Sequence, residues 1–114
     1  MAITRGEVYY ADLSPVKGSE QGGKRPVVIL QNDKGNLHAP TTIVAVVTSR
    51  KTKAKLPTHV WLNSEYTGLP KDSMVELEQI RTIDKSRLEG YVGLVDMYDM
   101  QKIDRALKIS LGVK

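Results

Sequence analysis

Two short runs of β-branched and aliphatic residues limit what this chain can become: Val-Val-Ile-Leu at residues 27–30 and Thr-Ile-Val-Ala-Val-Val-Thr at residues 42–48. Branching at Cβ stiffens a side chain and suits it to a pleated sheet. A continuous apolar run, rather than an alternating one, marks a strand covered on both faces. The chain must therefore build a sheet and supply apolar cover on each side of it.

Other strands gather round these two. Residues 7–13 contain Val8, Tyr9 and Tyr10 and run into Ser14-Pro15, a strand followed by a turn. Residues 58–62 form another short strand. Residues 75–83 alternate, with Val75, Leu77, Gln79, Arg81 and Ile83 on one face and Glu76, Glu78, Ile80 and Thr82 on the other. Both faces mix polar and apolar residues, as in a long bent strand that passes from core to a functional groove. Residues 32–36 (Asn-Asp-Lys-Gly-Asn) and 66–70 (Tyr-Thr-Gly-Leu-Pro) carry turn chemistry. The period then changes. Asp96 suits a helix cap, Met100, Ile103, Leu107 and Leu111 recur at spacings of three and four, and Gly112 supplies a stop. The expected class is mainly β with helices (α+β): a compact barrel of short strands with a C-terminal helix packed on it. With no repeat or linker, residues 1–114 read as one domain.

Composition removes several functions. The chain has no cysteine, so disulfides, thiolate zinc sites and a cysteine nucleophile are excluded. The stretch Met1-Ala2-Ile3-Thr4-Arg5-Gly6 has no apolar signal region, and nothing approaches the roughly 18 apolar residues of a membrane span. These features predict a soluble, cytoplasmic protein with no membrane partner. A net charge of +4 fits a polyanionic partner. Five Tyr, one Trp and no Phe give poor support for an aromatic stacking platform. Trp61 and Tyr66 read as core or interface residues.

The most informative loop is Gly18-Ser19-Glu20-Gln21-Gly22-Gly23-Lys24-Arg25-Pro26. Its three glycines allow close backbone approach to a ligand, and Lys24 and Arg25 add fixed positive charge. Pro26 pushes Arg25 toward extended backbone. The spacing matches neither a phosphate-binding P-loop nor a dinucleotide fingerprint. Taken alone, the loop reads more readily as a hairpin connection with incidental charge.

The segment GEVYYADLSPVKGSEQGGKRPVVILQND resembles the opening of MazF/PemK toxins, in which a Gly-(Asp/Glu)-Val-Tyr strand precedes Gly-x-Glu-Gln-x-Gly-x-Arg-Pro-Val. The resemblance continues through PTTIVAVVTS, KLPTHV, ELEQIRTIDKSRL and ALKISLG and covers essentially the whole chain. It implies an SH3-like barrel of the CcdB/PemK/MazF type and a homodimer. It also implies metal-independent, sequence-specific cleavage of single-stranded RNA to a 2′,3′-cyclic phosphate and a 5′-hydroxyl. No cofactor is implied. A cognate MazE-like antitoxin is, with a disordered tail that would cover the RNA site. The two motifs marked as catalytic map onto Arg25 and Thr48.

Metal-free RNA cleavage needs charge on the phosphate oxygens, a base for the 2′-hydroxyl and an acid for the leaving oxygen. Arg25 suits the first task, because a guanidinium is always charged and binds phosphate bidentately. Thr48 can offer its hydroxyl, although by itself it is an ordinary strand threonine. Arginine is not deprotonated in proteins, so the base is sought elsewhere. Glu20 and Glu78 are the carboxylates nearest the motifs. Some family members carry a catalytic Asp near Glu78, with an Arg two residues before it; this chain has Glu76 there instead. His59 stands at a strand start, and histidine as a residue type is suited to acid–base work. His38 reads as structural, and the two histidines show no metal-ligand spacing. Arg50, Lys51, Lys53 and Lys55 form a cationic run that either is simply solvated or tracks an RNA backbone. Ser19, Glu20, Lys53, Leu56, His59, Glu78 and Gln79 are the expected substrate-binding residues. Two other classes stay open: a CcdB-like inhibitor of a protein target, although the C-terminal Trp-Gly-Ile of that type is missing here, and an RNA-binding barrel without catalysis.

Overall fold

The computed structural model describes residues 2–49 and 55–114. Six strands form one antiparallel sheet in the order β4-β5-β3-β2-β1-β6. They are β1 (Glu7–Asp12), β2 (Lys24–Ile29), β3 (Thr41–Thr48), β4 (His59–Leu62), β5 (Ser73–Asp84) and β6 (Leu88–Leu94). Three helices join them: α1 (Asp33–His38), α2 (Ser64–Thr67) and α3 (Met97–Leu111). The expected mainly-β class with a C-terminal helix is what the structure shows.

The two β-branched runs lie side by side at the centre. Val28 and Ala45 pack into one core with Val47, Val75, Leu77 and Ile103. Val27, Ile29, Val44 and Val46 pack into a second core with Leu13, Ile83 and Leu88. Alternate residues of one run thus feed opposite faces, as an uninterrupted apolar strand requires. Helix α3 covers the first core with fully buried Ile103 and Ala106, while Met100 and Leu107 pack at its margin. Leu111, counted in the expected apolar stripe, stays half exposed. Both ends of α3 are capped. The Asp96 side chain accepts from Asp99 N, and Gly112 takes a left-handed φ of 70°.

Strand β5 departs from simple alternation. Val46 pairs with Glu76, but its neighbour Ala45 pairs with Ile80. Residues 77–79 are therefore extra on the β5 side, and such a bulge bends the strand and exchanges its faces. Val75 and Leu77 enter the first core, whereas Ile83 enters the second. The expected grouping of Val75, Leu77, Gln79, Arg81 and Ile83 on one face is corrected accordingly.

The expected turn at residues 32–36 is instead the start of helix α1. Asn32 caps it by accepting from Gly35 N at 2.8 Å. Buried Asn36 anchors it, accepting from the Thr42 hydroxyl at 2.8 Å and donating to Gln31 O at 2.8 Å. Capping and a buried hydrogen-bond network outweigh the low helix propensity of Gly35. Strand β6 carries two glycines and no continuous apolar run, so its sequence does not announce it.

Gly93 of β6 sits where α2 ends. A Cβ at Gly93 would lie 1.9 Å from the carbonyl oxygen of Thr67, whereas one at Gly90 would meet nothing within 4 Å. Gly93→Ala is expected to lower unfolding stability by more than about 2 kcal/mol, and Gly90→Ala to change it by less than about 0.5 kcal/mol. Urea denaturation of the two variants checks this, and equal effects would contradict the close approach.

Candidate active site

The site lies where the ends of β2 and β3 meet the glycine-rich loop. The β2–β3 pairing sets Val27 opposite Val46. Carried on by two residues, that register puts Arg25 level with Thr48. Thr48 pairs with Met74, and Met74 with Trp61. One step along, Val46 pairs with Glu76, and Glu76 with His59. Paired residues share a face, so Arg25, Thr48, Glu76 and His59 stand on one face of the sheet. This is also the face of the second core. Toward the loop, its apolar residues give way to polar ones.

An open cleft of about 560 Å³ is lined by Arg25, Thr48, Tyr10, Lys24, Lys71 and neighbouring residues. The two residues expected to be catalytic therefore share one cavity, though they are 23 positions apart in the chain. Arg25 is half-buried, and its Nε donates to Gly22 O at 2.8 Å. With Nε engaged, the Nη1/Nη2 edge is the part of the fork suited to an anion. Thr48 is 7% exposed. Lys24 and Lys71 bring further positive charge to the rim.

His59 and Glu78 meet across β4 and β5. His59 Nε2 lies 2.8 Å from Glu78 Oε2, and the Thr58 hydroxyl donates to Glu78 Oε1 at 3.0 Å. The His59 side chain is only 6% exposed, against 31% for Glu78. Backbone N–H of Leu56 donates to His59 Nδ1 at 3.4 Å, which favours the tautomer with its proton on Nε2, toward the carboxylate. Glu78 and Gln79 are two of the three residues in the β5 bulge. The bulge is thus the device that aims Glu78 at His59. Among the described residues, His59, Glu76 and Glu78 also form a group whose ligand atoms all lie within 4.8 Å of one another, close enough to hold a cation.

Ser19 and Glu20 are exposed on the glycine-rich loop, where Glu20 Oε1 accepts from Lys17 N at 2.5 Å. That bond closes a local turn. Leu56 is exposed just before β4, and its carbonyl accepts from His59 N at 3.0 Å. Lys53, Arg50 and Lys51 lie outside the described residues. His38 ends α1, exposed. Trp61 and Tyr66, read from sequence as core or interface residues, are exposed and line a second cleft with Tyr98.

Sequence reasoning did not find Tyr10, Lys24 as a cleft residue, or Lys71. It also missed the pairing of His59 with Glu78 and the 3.4 Å hydrogen bond that Gln21 Nε2 donates to Glu76 Oε1. Nothing in a Leu-Pro-Lys turn distinguishes Lys71 from any solvated lysine. The His59–Glu78 pairing depends on where the bulge falls, which alternation alone does not reveal.

A family model described as PemK-like, MazF-like toxin of type II toxin-antitoxin system matches residues 4–111. Endoribonuclease EndoA of Bacillus subtilis (strain 168) is 55% identical over 113 residues, which is 99% of this chain and 97% of EndoA. An endoribonuclease from a mycobacterial species, solved in complex with its cognate antitoxin, is 30% identical with a TM-score of 0.82, over 99% of this chain and 98% of that one. MazF from Deinococcus radiodurans shares the fold with a TM-score of 0.84 at 24% identity, over 99% of both chains. From its matched length and its likeness to EndoA, the chain belongs to the PemK-like, MazF-like toxins of type II toxin–antitoxin systems.

Proposed function

We propose that this chain is an endoribonuclease toxin that cuts single-stranded RNA at a short sequence motif, without a metal, and is silenced by a cognate antitoxin. The observation that carries this reading is the shared cleft of Arg25 and Thr48. The name of EndoA and the antitoxin complex of the mycobacterial relative support it.

The RNA's 2′-oxygen attacks the adjacent phosphorus. The 2′-O–P bond forms, the P–O5′ bond breaks, the 2′-hydroxyl gives up its proton and the leaving 5′-oxygen takes one up. The products are a 2′,3′-cyclic phosphate and a 5′-hydroxyl, and no water is consumed. Arg25 holds the non-bridging oxygens through its Nη edge, with charge-assisted bonds worth about 1.5–3 kcal/mol each. In a partly dehydrated cleft such donors act without having to reorganise as charge develops. The Thr48 hydroxyl hydrogen-bonds the phosphate or orients the 2′-hydroxyl. Arg25 serves as the cation of this step and not as its base. Lys24 and Lys71 extend the positive path along the backbone. Ser19, Glu20, Leu56, His59, Glu78 and Gln79 border the RNA strand, where unstacked bases present their edges. The working unit is a homodimer in the cytoplasm, and the antitoxin's tail lies over the groove. A segment that folds as it binds covers a large surface of this kind.

Incubation with a long single-stranded RNA, with and without EDTA, tests this reading. Discrete fragments with 5′-hydroxyl ends are expected in both conditions. Arg25→Ala should slow cleavage about 100-fold or more, the scale of losing one transition-state donor, with its fold unchanged by circular dichroism. Two unrelated RNAs left intact by the wild-type protein at low salt would refute it. Lys53→Ala should weaken RNA binding mildly and flatten its salt dependence by about one phosphate contact. An unchanged slope would remove Lys53 from the backbone path.

A further inference from the structure

The reaction above gives Glu76 no task. It is nonetheless 8% exposed, on a face shared with Arg25 and Thr48. A carboxylate is kept that far from water only against partners. One of them comes from the glycine-rich loop: Gln21 Nε2 donates to Glu76 Oε1 at 3.4 Å. The next residue, Gly22, accepts from Arg25 Nε at 2.8 Å. Two successive residues of the loop are thus tied, one to β5 and one to the guanidinium.

We propose that Gln21 and Glu76 form a clasp that positions Arg25. Gln21 pins the loop to β5. The pinned loop holds the Gly22 carbonyl against Nε, and the guanidinium then meets a phosphate with its Nη edge. Arginine has several rotatable bonds, and an unheld guanidinium would sample many orientations before finding the productive one. The clasp removes that search before substrate arrives. Gln21 and Glu76 are positioning residues, since neither needs to touch RNA. This role presupposes the ribonuclease reading above.

The clasp is a single long hydrogen bond, and the loop has other tethers. Leu13 N donates to Gly23 O at 2.9 Å, and Gly23 N donates to the Ser14 hydroxyl at 3.0 Å. Its loss should therefore loosen Arg25 rather than displace it fully.

Steady-state cleavage of a short RNA bearing the cut motif should show Gln21→Ala lowering kcat about tenfold with KM within about twofold, less than the roughly 100-fold cost of a full 1 Å misplacement. Glu76→Gln should keep near wild-type kcat, because its carboxamide oxygen can accept the same N–H. In an Arg25→Ala background, Gln21→Ala should cost less than about twofold, since a positioning residue has nothing left to position. The second readout needs no RNA. In the full-length protein labelled with ¹⁵N-arginine, the Arg25 Nε–H signal, assigned by its absence in Arg25→Ala, should resist solvent exchange in the wild type and in Glu76→Gln. It should exchange rapidly in Gln21→Ala. A wild-type kcat in Gln21→Ala, an equal loss in the Arg25→Ala background, or an Nε–H that stays protected without Gln21 would each overturn the clasp. If the wild-type protein cuts no RNA, the proposed function falls, and the exchange measurement still decides whether Gln21 holds Arg25.

Discussion

The bulge at residues 77–79 of β5 is the constraint on which the rest of the structure depends. Without it, Val75 and Ile83 would face the same way, and one of the two cores would lose its β5 contribution. With three residues added opposite the Ala45–Val46 step, the strand supplies Val75 and Leu77 to one core and Ile83 to the other. In this sequence a regular strand would put Val75, Leu77 and Ile83 all on one face, and the bulge is what divides them between the two cores. The irregular backbone here is what the layered fold demands, and Glu78 and Gln79 occupy it.

That irregularity also explains where polar chemistry can exist. Along β2 and β3, the face bearing the second core is apolar through Val27, Ile29, Val44 and Val46. It becomes polar at Arg25 and Thr48, where the strands run out toward the glycine-rich loop. Burial at this boundary is deep enough to strengthen hydrogen bonds, while the cleft stays open enough for an extended ligand. His59 lies under cover and Glu78 toward solvent. A carboxylate placed this way stays hydrated on one side and orients an imidazole on the other.

Glu76 shows how one buried carboxylate ties a loop to the sheet beside the cleft. An arginine and a glutamate cannot do the same work at a buried position on a shared sheet face. A cation there would add to the charge of Arg25, whereas the carboxylate accepts from Gln21 of the loop. The positive charge of the cleft comes from Arg25, Lys24 and Lys71. The His59–Glu78 contact occupies the neighbouring space. Residues two apart on one strand thus hold different partners, because the bulge begins between them.

Much of this was legible in the chain itself. Uninterrupted β-branched runs require a sheet covered on both sides, and residues 27–30 and 42–48 are its centre. The spacing of Met100, Ile103 and Leu107, with Asp96 before and Gly112 after, determined the C-terminal helix, since capping and amphipathic period are local properties. The loop drew notice to Arg25, but family likeness is what marked Arg25 and Thr48 together as catalytic. Helix α1 was hidden because its anchor, Asn36, meets partners such as Gln31 and Thr42 only in the folded chain. Strand β6 was hidden because one of its glycines, Gly93, marks close approach to α2, a tertiary fact. Alternation along β5 was misread because a bulge leaves no composition of its own. Local sequence determines the type of each element and the identity of reactive groups, because propensity and chemistry belong to single residues. Which of those groups meet, Arg25 with Thr48, His59 with Glu78 and Gln21 with Glu76, was decided only by strand register. Register is set jointly by every pair in the sheet.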